Sequence, residues 1–337
     1  MVYGAIDLHA RSSQVRVIDA EGRVLLHKRV VTEVRPLVAA CAAFSELRIL
    51  VESGTESEWV AQCLERAGHE VIVADPNFAP MYGELHRKVK TNDRDVTALA
   101  EANRRGWFRA AYRASAAQRE QRQTLRVRRQ LVASRSGAMS VVRSLLRQDG
   151  YRAPRASSHR FAARVTTRAL PSALASRVAP LLRTITGLDA EILTLDRALD
   201  AVRAHDPIVR RLQTVPGVGP VVAVSFRAFV DAVERFASAE QVTAAIGLVP
   251  SENSSAERQH RGHITKAGPR ELRSLLVQAA WSHWRTVKTG ALRAWVDRVA
   301  ARRGKRVAVV ALARRLARIL YAIWRDDTVF EDRRVAA

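Results

Sequence analysis

Cysteine is nearly absent from this sequence of 337 residues, which contains only Cys41 and Cys63. Two cysteines make neither a disulfide framework nor a metal cluster, and this favours a reducing compartment. The opening residues have no basic segment followed by an apolar one, so we expect no signal peptide. The most apolar C-terminal stretch is interrupted by Arg314, Arg315 and Arg318, which disfavours a membrane span. We therefore expect a cytoplasmic protein without membrane contact.

Acidic residues are scarce in two blocks of the chain. Residues 101–170 contain 17 Lys and Arg against 3 Asp and Glu, and residues 251–337 contain 19 against 8. Residues 1–100 contain 12 against 14, although the net charge of the whole chain is +23. An arginine-rich genome would not leave the first part acidic, so the uneven distribution favours binding to a polyanion. The sequence predicts a protein that binds nucleic acid.

The first part of the chain, residues 1–112, predicts an α/β domain. Three short β-rich runs, with a hairpin turn at Glu21-Gly22, precede alternating helical and strand patterns. The last two strands are expected at residues 47–52 and 70–74. This is the element order of the ribonuclease-H-like fold, although many other α/β domains share part of it.

The next part, residues 113–210, predicts a helical arm. Apolar residues recur every seven positions over residues 125–146, and a sustained heptad follows over residues 178–202. The Gly- and Pro-containing stretch between them is expected to be the tip of a hairpin. Such an arm either joins protomers as a coiled coil or spaces two domains as an intramolecular hairpin. Residues 211–330 then predict a mainly α-helical C-terminal domain.

Carboxylates at strand ends form the first candidate site. Asp7 and Glu52 each end a predicted strand, and both would emerge at one edge of the sheet if these strands are neighbours. Carboxylate oxygens suit Mg²⁺, which assists phosphoryl transfer. Because Asp and Glu are common at strand ends, this pair alone is weak evidence.

A predicted helix over residues 92–104 adds further candidates. Acidic residues in a first helical turn are often only complements to the helix dipole. Residues three apart share a helix face, whereas residues two apart diverge. Asn92 and Asp95 can therefore face one metal together, while Asp93 and Asp95 cannot, and Asp95 is the better candidate ligand.

A serine pair, Ser254 and Ser255, lies in the polar loop that follows Gly247. A serine hydroxyl is a poor nucleophile until a base or a metal activates it, and His260 and His263 are the nearby candidate bases. Basic residues follow the loop and are candidates for contact with nucleic acid: Lys266, Arg270 and Arg273. A Ser-rich surface loop without chemistry is the alternative.

The segment Val-Pro-Gly-Val-Gly-Pro at residues 215–220 resembles the hairpin of a helix-hairpin-helix element. There, glycines such as Gly217 and Gly219 allow backbone amides to approach a phosphate at a helix N-terminus. The alternative is a plain tight turn.

Five stretches together carry a resemblance to a known family: GAIDLH, VESGT, KTNDRDVTALA, TVPGVGPVVA and AAIGLVPSENSSAERQHRGHITKAGPRELRSLLVQAA. They span essentially the whole chain, in order, and the last is the most specific. The chain resembles the DEDD-type insertion-sequence transposases, which are also called bridge recombinases and include the pilin-gene invertases.

This resemblance implies a RuvC-like N-terminal domain that holds Mg²⁺ with four acidic residues. They fall on Asp7, Glu52 and Asp95, and the remaining aspartate falls on Asn92. Either Asp93 stands in by a local shift, or the amide oxygen of Asn92 serves as a weaker ligand.

In the C-terminal domain, the resemblance implies a serine nucleophile. The nucleophile falls on Ser254, with Ser255 as the fallback, and Ala256 stands where the family usually has Gly. The implied activity cuts and rejoins DNA through a covalent phosphoserine link.

The resemblance also implies partners: the DNA of the element's ends and target, a structured guide RNA, and further copies of the chain in a dimer or tetramer. The basic block at residues 104–168 suits RNA and DNA equally, and the expected location is the nucleoid. Two alternatives remain open: a RuvC-like junction nuclease that uses water, and an inactive nucleic-acid-binding relic.

Overall fold

The computed structural model describes residues 1–82, 92–252 and 261–332. The chain divides into two compact units, of which the first is Met1–Ala114 and the second begins at Ser115. The first unit is a mixed α/β structure, and the second is mainly helical, as the sequence predicts.

The first unit is built on one five-stranded sheet. Its elements are β1 (Tyr3–Asp7), β2 (Ser12–Ile18), β3 (Val24–Val31), α1 (Val34–Cys41), β4 (Arg48–Glu52), α2 (Ser57–Arg66), β5 (Glu70–Ala74) and α3 (Asn92–Arg105). The strand order is β3-β2-β1-β4-β5, with β1 antiparallel to β2 and parallel to β4. The strands and helices predicted from the sequence are confirmed, including the turn at Gly22, whose φ is +87°.

Helices cover both faces of this sheet. Successive strand residues point to opposite faces, so Ile6 packs with Leu37 and Leu64 of α1 and α2, while Ala5 packs with Leu99 of α3. The central strand β1 is therefore buried on both sides, and its last residue lies beside α3.

The second unit contains the two long helices α4 (Ala116–Gln148) and α6 (Ser172–His205). Its other elements are α5 (Phe161–Thr166), α7 (Pro207–Leu212), α8 (Pro220–Val230), α9 (Ala239–Ile246), β6 (Pro250–Glu252), β7 (Arg261–Ile264), α10 (Arg270–Thr286), α11 (Ala291–Arg303) and α12 (Lys305–Arg325). The last six helices share one apolar core with the end of α6.

The long helices α4 and α6 pair with each other in antiparallel orientation. Ion pairs join Arg128 to Asp196 and Arg135 to Asp189, so the residue numbers rise along one helix as they fall along the other. Apolar residues of the predicted heptads, Val178 and Ile185 among them, are buried in one cluster with residues of α4. The heptads thus pack these helices together within a single chain.

The beginning of α4 is tied to the end of α8. Ser115 caps α4 by accepting a hydrogen bond from the backbone of Gln118. Its own backbone N–H and hydroxyl both donate to the carboxylate of Asp231, at 2.7 Å each. This end of the helical pair is therefore fixed to the core.

Candidate active site

Two carboxylates lie where neighbouring parallel strands end. Asp7 is the last residue of β1, and Glu52 is the last residue of β4. The strands pair in register up to Ile6 and Val51, so each carboxylate is the next residue along its strand. Because the strands are parallel, both acidic residues come to the same edge of the sheet.

The side chain of Asp7 is buried, with 8% of the residue exposed. Burial raises the pKa of its carboxyl above the usual value, and the negative charges of Asp95 and Glu52 raise it further, against the attraction of His9. Oδ2 of Asp7 lies 3.1 Å from Nε2 of His9, at ion-pair distance. The same oxygen is buried and accepts no well-aligned hydrogen bond from the described residues. A nearby cation would stabilise a carboxylate in this environment.

The two aspartates of the first turn of α3 have different surroundings. Asp95 is buried, and its charge acts on Asp7. The side chain of Asp93 is 63% exposed and pairs with Nε2 of His27 on β3 at 2.9 Å. Asn92 begins the helix, but its side chain lies outside the described residues. The structure thus brings Asp95, rather than Asp93, to the electrostatic environment of Asp7.

A buried polar residue of α3, Asn103, fixes the helix to the two strands that carry the carboxylates. Its Nδ2 donates to the backbone oxygens of Gly4 at 2.7 Å and Arg48 at 2.6 Å. Its Oδ1 accepts from Nε of Arg48 at 3.0 Å. Asn103 is fully buried, so these bonds are shielded from water. They hold α3, and with it Asp95, against β1 and β4.

The three carboxylates offer oxygen ligands to a divalent cation. Hard oxygens, one of them the buried Oδ2 of Asp7, suit such an ion. Within residues 1–82, 92–252 and 261–332, no three His, Cys, Asp or Glu side chains stand close enough together to form a metal cluster. The three carboxylates are oxygen donors of the kind that a divalent cation binds, and in the described residues they do not by themselves complete a coordination shell.

Two short paired strands precede and follow the predicted serine pair in the sequence. Strand β6 pairs antiparallel with β7, and the hydroxyl of Ser251 donates to the backbone oxygen of His263 at 3.0 Å. Ser254, Ser255 and His260 lie outside the described residues, between these strands.

The base of this hairpin is closely packed against the end of α9. A Cβ on Gly247 would lie 2.1 Å from the backbone oxygen of Ala267, and one on Gly268 would lie 1.9 Å from that of Ala245. Both glycines have positive φ, of +76° and +82°. The segment after β7 therefore crosses α9 at a distance that only glycine permits.

A single arginine, Arg273, strengthens the same crossing. Its Nη1 lies 3.0, 3.0 and 2.9 Å from the backbone oxygens of Ile246, Ala267 and Gly268. This gives Arg273 a structural role, which the sequence did not indicate. The other predicted contacts, Lys266 and Arg270, are exposed, and Lys266 has a φ of +57°.

The glycines of the predicted helix-hairpin-helix turn have different surroundings. A Cβ on Gly217 would lie 2.6 Å from the backbone oxygen of Ala279 in α10, so this glycine permits close packing of the turn against that helix. The ring Nδ1 of buried His283 bonds to the oxygen of Pro216 at 2.8 Å in the same contact. Gly219 precedes α8, and no atom of the described residues lies within 4 Å of the place that a Cβ would occupy. Only Gly219 therefore leaves room for a ligand at the start of α8.

Comparison with known proteins gives relatives along almost the whole chain. The chain is 31% identical over 298 residues to the "Probable family 20 transposase" of Pseudomonas aeruginosa, covering 84% of this chain and 85% of that protein. It is 29% identical to the transposase for insertion sequence element IS1111A of Coxiella burnetii, covering 94% and 88%. It is 28% identical to the transposase for insertion sequence element IS1328 of Yersinia enterocolitica, covering 96% and 97%.

Two family models also match. One, described as "Transposase", matches residues 5–149, which include the three carboxylates. The other, described as "Transposase IS116/IS110/IS902 family", matches residues 209–294, which include the hairpin and its glycine crossing. These matches define the chain as a transposase, an enzyme that moves DNA. It belongs to the IS116/IS110/IS902 transposase family, as the sequence motifs predict, and it is the transposase of an insertion sequence.

Among solved structures, RuvC of T. thermophilus in complex with a Holliday junction substrate matches at a TM-score of 0.24 and 15% identity. The match covers 33% of this chain and 100% of that one, and similarity at this level supports no conclusion. Within the described residues, no helix has the length and apolar character needed to cross a membrane.

Proposed function

We propose that this transposase cuts and rejoins DNA by attack of Ser254 on a phosphodiester, assisted by a divalent cation held by Asp7, Glu52 and Asp95. The observation that carries the proposal is the buried carboxylate of Asp7, which has one charged partner, His9, against the two like charges of Asp95 and Glu52. Like charges that act on a buried carboxylate are unfavourable without a cation, and perturbed carboxyls of this kind are typical of functional sites.

The sheet supports a RuvC-like, ribonuclease-H-like assignment of the N-terminal domain. Three antiparallel strands, two added parallel strands and a helix that carries an acidic residue match the order expected for that fold. We propose Mg²⁺ as the cation, because the ligands are hard oxygens and the substrate is a phosphate ester.

Each carboxylate has a proposed part in this site. Asp7 and Glu52 would hold the cation from the sheet edge, and Asp95 from α3, whose position Asn103 fixes. The bound cation would supply positive charge to the scissile phosphate and lower the pKa of the attacking hydroxyl. Asp93 is exposed and paired with His27, which makes Asn92 the better fourth ligand.

The serine has its part in the second unit. Its hydroxyl would transfer a proton to a base, for which His260 and His263 are the candidates, as its oxygen bonds to phosphorus. The bond from phosphorus to the 3′ or 5′ oxygen of the DNA would break, and that oxygen would leave with the other strand end. The two glycine contacts and Arg273 fix the base of the strands that flank Ser254 in the sequence. Ser255 is the alternative nucleophile.

The proposed partners follow from the family resemblance and from the positive charge of the chain. We propose that a guide RNA, as well as DNA, binds the basic block at residues 104–168, and that the chain acts as a dimer or tetramer in the nucleoid. We also propose the three-part division into residues 1–112, 113–210 and 211–330. Exposed arginines of α4, such as Arg126, support a role in binding nucleic acid.

The experiment incubates the protein with DNA of the element's ends and its flanking transcript, in Mg²⁺ or Mn²⁺. We expect a covalent DNA–protein adduct that maps to Ser254, that is lost in Ser254→Ala and in EDTA, and that persists in Ser255→Ala. Cleavage retained by Ser254→Ala without an adduct would support a nuclease that uses water. Binding without cleavage in any metal condition would support an inactive relic.

A further inference from the structure

The second unit contains a groove to which only one of the predicted contacts with nucleic acid, Lys266, belongs. Its volume is about 1840 Å³, and it lies between the β6–β7 hairpin and the helices α11 and α12. Pro250, His263 and Ile264 of the hairpin form part of one wall. The groove therefore adjoins the strands that lead to and from the serine pair.

The lining of this groove is strongly basic. Eight Lys and Arg residues line it against three acidic ones. Two of these acidic residues are already paired with groove arginines, Glu240 with Arg318 at 2.8 Å and Asp326 with Arg325 at 2.7 Å. The positive charge of the groove is therefore far from balanced.

Most of the excess charge lies at the turn between α11 and α12. Arg302 and Arg303 end α11, Gly304 follows, and Lys305 and Arg306 begin α12. In the described part of the chain, no acceptor lies within bonding distance of Arg302, Arg303 or Arg306, and all three are exposed. Lys305 and Arg306 at the start of α12 oppose the dipole of that helix, which favours anions there, whereas Arg302 and Arg303 complement the dipole at the end of α11. An arrangement that is unfavourable for the free chain becomes favourable when a polyanion occupies the groove.

A second group of arginines lies deeper in the groove. The guanidinium of Arg315 lies over the ring of Trp295, 4.7 Å from its centroid. Burial lowers the pKa of Arg315, and the positive charges of Arg318 and Arg298 lower it further. Nε of Arg314 is buried without a hydrogen-bond partner in the described residues. Negative charge in the groove would stabilise the charged form of Arg315 and would attract the guanidinium of Arg314.

We infer that this groove binds the phosphodiester backbone of a nucleic acid strand and leads it to the β6–β7 hairpin. Between the arginines the α12 side of the groove is aliphatic, with Val307, Val310 and Ala311, which offer no side-chain hydrogen bonds to base edges. The groove therefore contacts backbone and does not read sequence. The part of the inference that leads the strand to the β6–β7 hairpin rests on the proposed role of Ser254. The binding of the strand in the groove does not depend on that role.

The test replaces the three unpaired arginines together, as R302Q/R303Q/R306Q in the full chain. Binding is measured in EDTA over a range of KCl concentrations, with a 30-base-pair DNA duplex of two unrelated sequences, single-stranded DNA and RNA. Each lost phosphate contact should lower the slope of log K against log salt by about 0.9 for duplex DNA, and three contacts by about 2.7. At 0.1 M salt we expect a loss of affinity of about a hundredfold or more, equal for both sequences.

The matched control removes the same charge elsewhere in the second unit. R183Q/R197Q/R203Q changes three exposed arginines of α6 that lie outside the groove. We expect its salt slope to fall by much less than that of the groove variant. Thermal unfolding of both variants verifies that each is folded.

The outcomes separate the possibilities. A loss of affinity in the groove variant supports the inference. The polynucleotide for which affinity is lost, whether duplex DNA, single-stranded DNA or RNA, is the one that occupies the groove. Equal slopes for the groove variant and the control, a loss confined to one DNA sequence, or a change of oligomeric state without a change of slope would each overturn it. A failure of the proposed function would appear elsewhere, as a missing adduct at Ser254 with the groove effect on binding intact.

Discussion

Replacing Asp7 by Asn should make the metal-free transposase more stable at pH 7.5 while it abolishes strand cleavage. The pKa of Asp7 is raised in the folded chain, chiefly by burial, so the folded state favours the protonated carboxyl. The stability that this group contributes is present below the unfolded pKa, 3.8, and is lost as pH rises through the folded pKa. Asn resembles the protonated form, so the gain appears at neutral pH and disappears near pH 4.

The size of the expected gain in unfolding free energy follows from the surroundings of the Asp7 carboxylate. Asp7 is 8% exposed, with two like charges acting on it and His9 as the opposing charge, and the net effect on its pKa is still upward. Removing a buried functional charge of this kind gains on the order of 1 kcal/mol. In a unit of about this size, that raises the melting temperature by about 4 °C.

The assay is unfolding of the full chain in urea. Hydrogen exchange, measured in peptides from Met1–Ala114, reports the stability of the first unit. In EDTA the Asp7→Asn chain should show greater protection than the wild type. On addition of MgCl₂ the wild type should gain stability and the variant should not. The reasoning fails if Asp7→Asn is destabilised at pH 7.5, or if MgCl₂ stabilises both chains equally.

The control is Asp75→Asn in the same unit. Hydrogen bonds from the backbone of Asn77 and from Arg109 lower the pKa of Asp75. Its contribution to stability is therefore present above pH 3.8 and lost as pH falls through the folded pKa, so Asn should destabilise the chain at neutral pH. The two substitutions are chemically identical and should have opposite effects.

Three further predictions concern single contacts. Asn103→Ala leaves two strand carbonyls without their buried donor and should cost about 2–4 kcal/mol in urea unfolding, with lowered protection of β1 and β4, whereas Asn77→Ala in an exposed loop should cost under about 0.5 kcal/mol. Gly247→Ala meets a backbone oxygen at 2.1 Å and should cost about 2–4 kcal/mol or prevent folding, whereas Gly219→Ala has free space and should be nearly neutral by the same measurement. Tyr321→Phe removes a buried hydroxyl that donates to a backbone oxygen at 2.5 Å and should cost about 1 kcal/mol by thermal unfolding.

Local patterns were sufficient to predict the sheet and the position of its carboxylates. The alternating burial along β2 follows the alternation of its sequence, and a chain that must bury Ile6 and Val51 leaves Asp7 and Glu52 at the next positions. That β1 and β4 are neighbours depends on the topology, which the sequence left as a condition and the structure supplies.

The contacts that hold the site together were not visible in the sequence. Asn103 lies in a helical stretch, and the backbone oxygens that it bonds, those of Gly4 and Arg48, are 99 and 55 residues away in the sequence. Every residue has a backbone oxygen, so no sequence pattern indicates which oxygens a buried asparagine will bond. Gly217 was assigned to phosphate approach, yet its closest neighbours are backbone atoms of α10. A glycine at a turn indicates close approach, but the sequence does not say what approaches.

The paired helices that start at Ser115 also have a mechanical consequence. With 33 residues, α4 is about 50 Å long, and the bonds to Asp231 fix only one of its ends. A rotation of about 10° at the fixed end would carry the other end about 9 Å, which is roughly two to three nucleotide steps along a strand. A rod of this length would act as a lever, because a slight tilt at the core would become a displacement of several ångströms at its far end.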